Sequence, residues 1–347
     1  MSESISISVD GKRFDTWSTA QIARAIDSID TVQVSRPFDP TDPSQRETFK
    51  PLGYQSTVVS VGGETIVTGT TVPVVPELTD SSNMVALGIY STPGVLSECP
   101  PDQASYPLEM KGLTLHEIAK RLCDPFGIRV KAVGVAPGKP FEKAKIGTGE
   151  ILPSLAELAK AKGQLITSSK NGDLVFQAAK TDGSTVARLS WGLPPMLGIR
   201  PSIKPREYFS KVTGVKPIRP KSKKTEIFTV HTPHIGNVFR PFIYDVKDNL
   251  ELDIQTNVQS KVSRMIGNVV SYDIEVATWR DENGRLWEPN TFVEVYAPGV
   301  MVYRKFIFLI RSVVLTQNND SETASLQVVL PGSFTASEKI GKYPWDE

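Results

Sequence analysis

The stretch LTLHEIAKRLC at residues 113–123 is where the fold can first be read. Thr114 and Glu117 have the spacing of a capping box, in which the Thr side chain accepts from the third helical amide and the Glu reaches back. Leu115, Ile118, Ala119, Leu122 and Cys123 then fall on one helical face, and Pro125 stops the helix. A second helix is expected to start at Pro153, pack Leu155, Leu158 and Ala159, and end at Gly163. It leads into Leu165-Ile166-Thr167, Asn171-Gly172 and Leu174-Val175-Phe176, a hairpin with the Asn-Gly signature of a type I′ turn. These pieces make a small α+β domain, placed at residues 105–178, of two helices each followed by strands.

The texture changes on both sides. Before it, in a first domain at residues 1–104, Ile5, Ile7 and Val9 alternate with serines, and Asp10-Gly11 turns into Lys12-Arg13-Phe14. Val58, Val59 and Val61 lead through Gly62-Gly63 to Thr65-Ile66-Val67-Thr68, another hairpin. Ile22, Ile26 and Ile29 fit a helix, while Ile22, Arg24 and Ile26 fit a strand equally well. Arg36 to Pro51, polar and with four prolines, reads as a loop. After it, in a domain at residues 179–334, strands are expected at Tyr208–Val215, Tyr272–Val276, Phe292–Tyr296, Val302–Thr316 and Ser321–Leu330. A helix is expected over residues 249–268, from Ile254, Val258, Val262, Met265, Ile266 and Val269. Asp281-Glu282-Asn283-Gly284 is a turn, and residues 335–347 are a tail. The Val302–Thr316 strand is long enough to demand a large or closed sheet, because an open edge of that length templates aggregation.

Composition narrows the function. The chain has 347 residues, with 39 Lys and Arg against 38 Asp and Glu, so no global basic field draws it to nucleic acid or an anionic membrane. Two cysteines, Cys99 and Cys123, make neither a disulfide framework nor a four-ligand zinc site. The apolar run Val300–Leu315 is broken by Arg304, Lys305 and Arg311 and does not span a bilayer. The N-terminus lacks the apolar core of a signal peptide, so a soluble chain made in the cytosol is expected, with no membrane insertion.

Candidate chemistry is sparse. His231 and His234 are spaced like metal ligands but have no carboxylate or cysteine cluster beside them, which favours surface-loop histidines. His116 lies within the capped helix. Gly138-Lys139 is followed by Pro140 and is no P-loop. Asp245, Asp248 and Asp253 do not match a calcium loop. There is no G-x-S-x-G elbow, H-E-x-x-H, C-x-x-C or G-x-G-x-x-G. Trp279 and Trp287, flanking the Asn283-Gly284 turn, suit a sugar platform or, more commonly, cross-strand core packing. Lys216, Arg219, Lys221, Lys223 and Lys224 put five cations in nine residues, read as a solvated loop or protein contact rather than a nucleic-acid site. No catalytic, cofactor-binding or metal-ligating residue is singled out, and no cofactor is expected.

Three ordered stretches carry a resemblance. They are Asp10–Phe14 with Trp17 and Ala25–Ile29; Leu113–Cys123 with Gly127–Val130, running through Leu155, Leu158 and Gly163 to Asn171–Phe176; and Thr278–Arg280 with Gly284–Trp287 and Pro289-Asn290. Together they resemble the baseplate hub proteins of Mu-like contractile-tailed phages, within the wider tail hub and late-control D family. The resemblance implies a β-rich α+β fold: two tail-tube-like β-barrel domains, a small two-helix α+β domain between them, and a helix added to the second barrel. It makes residues 20–35 strands. It implies a homotrimer whose six barrels adapt a hexameric tail tube to a three-fold central spike. Implied partners are the spike, the tube protein, other baseplate proteins and the tape measure protein, with DNA passing through the lumen without specific binding. The long basic C-terminal tail of Mu-like relatives is missing, since the chain stops soon after Lys342-Tyr343-Pro344-Trp345. The basic cluster is expected to point away from the lumen, because lumenal cations would hold phosphates. The competing readings are a tail-associated cell-wall polysaccharide hydrolase and a carbohydrate-binding module.

Overall fold

The computed structural model describes residues 3–141, 144–216, 225–232, 238–246, 253–318, 321–335 and 342–346. The first third contains β1 (Ile5–Val9), β2 (Lys12–Phe14), β3 (Thr19–Ala25), β4 (Thr31–Pro37), α1 (Pro43–Thr48), β5 (Ser56–Val61), β6 (Glu64–Leu78) and β7 (Asn83–Ser91). Asp10 and Gly11 both take positive φ between the paired Val9 and Lys12, as a type I′ turn requires. Gly62 and Gly63 do the same between Val61 and Glu64. The ambiguous segment forms β3 and β4, in which Ile22 and Val32 pair across the ladder and are both buried. Residues 36–51 are not all loop. Asp42 caps Ser44 N–H at 2.8 Å and Pro43 pre-sets the first turn of α1. One and a half turns hold too few apolar residues to display a helical period.

The middle third contains α2 (Leu115–Cys123), β8 (Val130–Val133), α3 (Ile151–Ala161), β9 (Leu165–Ser168) and β10 (Leu174–Gln177). The capping box closes reciprocally, with Glu117 N–H donating to Thr114 Oγ1 at 3.3 Å and Thr114 N–H donating to Glu117 Oε2 at 2.7 Å. Helix α3 begins two residues before the expected start, because Pro153 fits the first turn, where its missing N–H is not needed. Strand β10 pairs with β9 antiparallel and β8 parallel. The β9–β10 connection is not a type I′ turn. Ser168 pairs with Leu174, so five residues intervene, and of Asn171 and Gly172 only Gly172 has positive φ. Ser169 instead takes Gly172 N–H on its carbonyl and Asp173 N–H on its hydroxyl.

The last third contains β11 (Thr185–Ser190), β12 (Met196–Ile203), β13 (Lys211–Lys216), β14 (Glu226–His231), β15 (Pro241–Asp245), α4 (Ile254–Val269), β16 (Val270–Val276), β17 (Phe292–Ala297), β18 (Val302–Asn318) and β19 (Glu322–Val329). Strand β13 starts three residues past Tyr208, which follows a 3₁₀ turn. Helix α4 starts at Ile254, capped by Asp253; the earlier part of its expected span, residues 249–252, lies outside the described residues.

Thirteen strands of the outer thirds form one sheet, ordered β12-β16-β19-β18-β3-β4-β7-β6-β5-β1-β2, with β17 joining β18 to β11. Among the described residues neither half closes on itself through a ladder; the two halves share β18. One flank of this 17-residue strand pairs with β19 from Leu309 to Gln317. The other pairs first with β17, from Val302 to Leu309, and then with β3, from Ser312 to Asn318. That change of neighbour explains its length. A second sheet, β14-β13-β15, packs on α4, and the third is β8-β10-β9. One apolar core runs through both outer thirds, while Leu96 to Phe176 supply a separate core. A small third cluster, including Ile26, Leu165, Phe292 and Leu309, fills the junction.

Candidate functional site: seams and surfaces

The chemistry of this fold lies in what joins its parts. A bulge interrupts the β18–β19 ladder between Ile310 and Ser312, where β18 exchanges β17 for β3. A bulge re-aims its residue, and Arg311 donates from its guanidinium to Asp27 Oδ2 at 3.0 Å and Asn268 Oδ1 at 3.1 Å, over the ring of Phe334. The 25–30 turn docks into the middle unit: Thr167 Oγ1 donates to the carbonyls of Ala25 and Ser28, Asp30 N–H donates to Ser168 Oγ, and Gln177 donates to the Ile26 carbonyl. Burial pushes the Asp30 carboxyl up to about 6 against the pull of Arg24, whose Nε is 3.3 Å away. Helix α4 touches the middle unit through Ser260 Oγ and Arg264 Nη2, which donate to the carbonyls of Lys160 and Gln164.

Arg280 clamps the outer thirds together. It makes two bonds to Glu3, at 2.5 and 2.9 Å, and one to Glu64 at 2.9 Å. Strand β11 is an edge, and the 281–284 turn seals it: Arg188 N–H donates to Glu282 at 2.7 Å, and Asn283 donates to the Val186 carbonyl at 3.3 Å.

The candidates from sequence do not converge. His231 is exposed at the end of β14, and His234 lies outside the described residues. His116 packs against Phe176, with ring centroids 5.0 Å apart. Asp245 is exposed on β15, Asp253 is spent on the α4 cap, and Asp248 lies outside the described residues. Cys123 is buried, its thiol pushed up to about 12 by desolvation. Trp279 and Trp287 are buried, and their indole N–H groups donate to the carbonyls of Thr323 and Thr278. They are core, and no sugar platform forms from them. Of the basic cluster, Lys216 reaches Glu226 at 3.4 Å; residues 217–224 lie outside the described residues. Among the described residues no three His, Cys, Asp or Glu side chains gather as metal ligands.

A cleft of about 680 Å³ lies between α3, α4 and the β13–β15 sheet. Its two hydroxyls are committed elsewhere, Ser260 to Lys160 and Tyr244 to Asn257 Oδ1 at 2.7 Å. Its lining carboxylates are Asp27, Glu157, Glu207 and Asp245, of which Asp27 is paired with Arg311 at 3.0 Å.

This β-rich scaffold of locked seams, with Trp279, Trp287 and Cys123 buried in it, is shared with solved phage tail proteins. The chain superimposes on the 43 kDa tail protein of prophage MuSo2 from Shewanella oneidensis with a TM-score of 0.79 and 25% identity, covering 96% of this chain and 99% of that one. It shares the fold of the tail protein from Neisseria meningitidis MC58, with a TM-score of 0.81 and 20% identity over 97% and 99% of the two chains. Residues 94–178 match the family model described as baseplate hub protein gp44-like, second domain. Over 315 residues the chain is 23% identical to baseplate hub protein gp44 of Escherichia phage Mu, covering 86% of this chain and 80% of that protein. The chain is thus similar to the baseplate hub proteins of Mu-like phages, in its middle unit by the family model and over most of its length by sequence.

Proposed function

We propose that the chain is the structural baseplate hub of a contractile phage tail. Three copies form a ring between the hexameric tail tube and a three-fold central spike, leaving a channel through which DNA leaves. Residues 1–104 and 179–334 act as two tube-like domains per copy, six per ring. Residues 105–178 form the intervening α+β domain, and residues 335–347 a tail. The observation that carries this reading is the similarity to the Mu baseplate hub over most of both chains, joined to the gp44-like match at 94–178. Net charge +1 suits a channel wall that must release DNA, and on this reading the 216–224 cluster faces protein partners.

The partners are the spike, the tube protein, other baseplate proteins and the tape measure protein. The site of action is the virion baseplate, assembled in the host cytoplasm. The role is non-enzymatic: the proteins this chain is similar to are named as tail and baseplate hub proteins, and the buried Trp279 and Trp287 disfavour a glycan platform. Gold-labelled antibody against this chain should mark purified tails at the spike end alone. Label along the tube or on the capsid, or release of reducing sugar from cell-wall polysaccharide by the purified chain, contradicts the reading.

A further inference from the structure

Charge is distributed very unevenly along this nearly neutral chain. Residues 51–110 contain six carboxylates and no Lys or Arg, while residues 188–224 contain ten Lys and Arg and one carboxylate. Among the described residues, the free half of β6, in the acidic stretch, and β12, in the basic one, each lie at an edge of the shared sheet. Strand β6, with the acidic stretch, and strand β12, with the basic one, stand seven positions apart in the shared sheet. At about 4.8 Å per strand that is about 34 Å along the sheet.

Each margin also exposes apolar side chains. On the free half of β6, beyond its pairing with β5, Val75 is 56% and Leu78 80% exposed, beside the exposed Glu77 and Asp80. Along the β11–β12 turn and β12, Trp191 is 56%, Leu193 61%, Leu197 51% and Ile203 42% exposed, beside the exposed Arg200 and Lys204. Aromatic, apolar and cationic side chains of this kind make the strong points of protein interfaces.

We propose that the basic apolar margin at 191–204 receives the acidic apolar arm at 75–80 of a second copy of this chain. The proposal rests on the ring reading above. A closed cyclic ring needs two different, complementary patches on every copy, and these two are complementary in charge and share exposed apolar surface. Pro73 and Pro76 interrupt the donor row of the arm, and Pro201 that of β12, so the contact is between side chains rather than a continued ladder.

The test uses the full chain in sedimentation velocity at low and high salt. R200E/K204E and E77K/D80K change exposed residues, and melting curves report whether each variant folds. Each pair of reversals should weaken self-association about tenfold or more, and the four changes together should restore it to within about threefold. Raising the salt should weaken the wild type in the same sense. Trimers of equal affinity in all four proteins overturn the docking surface and leave the ring standing. A wild-type chain that remains a monomer at every concentration in low salt also overturns the docking surface, and the ring is then judged from assembled tails.

Discussion

Arg311 and Asp27 meet at 3.0 Å where the long strand β18 leaves β17 and takes up β3, and this pair pins the 25–30 turn to the strand that unites the two halves. Both side chains are about three-quarters shielded from solvent. Arg311→Ala removes the pair, the bond to Asn268 and the contact over Phe334. We expect a loss of about 1–3 kcal/mol in denaturant melts, with Arg311→Lys recovering only part of it because a single ammonium cannot make the forked contact. A loss below about 0.5 kcal/mol would show that the backbone ladder alone holds the junction.

The middle unit depends on its own core. Leu122 on α2 and Leu158 on α3 are buried in the cluster separate from the main core. Replacing either by Ala should cost about 2–5 kcal/mol. A loss below about 1 kcal/mol for both would mean that neither faces a core.

Asp30 gives the chain an acid-favoured component of stability. Its carboxyl is 2% exposed, and burial raises it from 3.8 to about 6 in the folded state. The folded chain therefore holds this proton more tightly than the unfolded chain does. The contribution is fully present below about pH 4, shrinks as pH rises, and is gone above about pH 6. Two units correspond to at most about 3 kcal/mol. Asp30→Asn removes the titration, so the stability of wild type minus that of variant should grow as pH falls from 6 to 4. A difference that grows in the opposite direction would show that the Arg24 pair outweighs burial.

Gly172 holds the β9–β10 tip against the first third. Its φ is +79°, and a Cβ there would lie 2.3 Å from Thr92 Oγ1 and 3.2 Å from the Thr68 carbonyl. Thr68 Oγ1 donates to the Lys170 carbonyl in the same contact. Gly172→Ala should cost about 1–3 kcal/mol, combining left-handed backbone strain with the clash. Hydrogen exchange should quicken at residues 169–173 while the α2 amides stay protected. Unchanged exchange at the tip would contradict a tight seat.

What was legible in the sequence was local. The Thr114–Glu117 box, the Asp10-Gly11 and Gly62-Gly63 turns and the α4 period each rest on a few neighbouring residues whose chemistry has one good solution. The length of the expected Val302–Thr316 strand points to a large sheet, although the exchange of β17 for β3 along the observed Val302–Asn318 strand is a long-range pairing that no local pattern encodes. Asn171-Gly172 misled because the Ser169 hydroxyl and carbonyl organise a longer turn than the dipeptide alone would. The seams were not legible at all. Arg311 meets Asp27 across 284 positions and Arg280 meets Glu3 across 277, so only the fold brings them together. The tryptophans at 279 and 287 show the reverse case, since sequence leaves platform and core both open and burial decides.

The central claim is that this chain forms a three-fold hub between a tube and a spike. Native mass spectrometry of baseplates released from purified tails counts its copies directly. The account predicts three copies of the 38.1 kDa chain per baseplate, bound with the spike. One copy, or six, would contradict it.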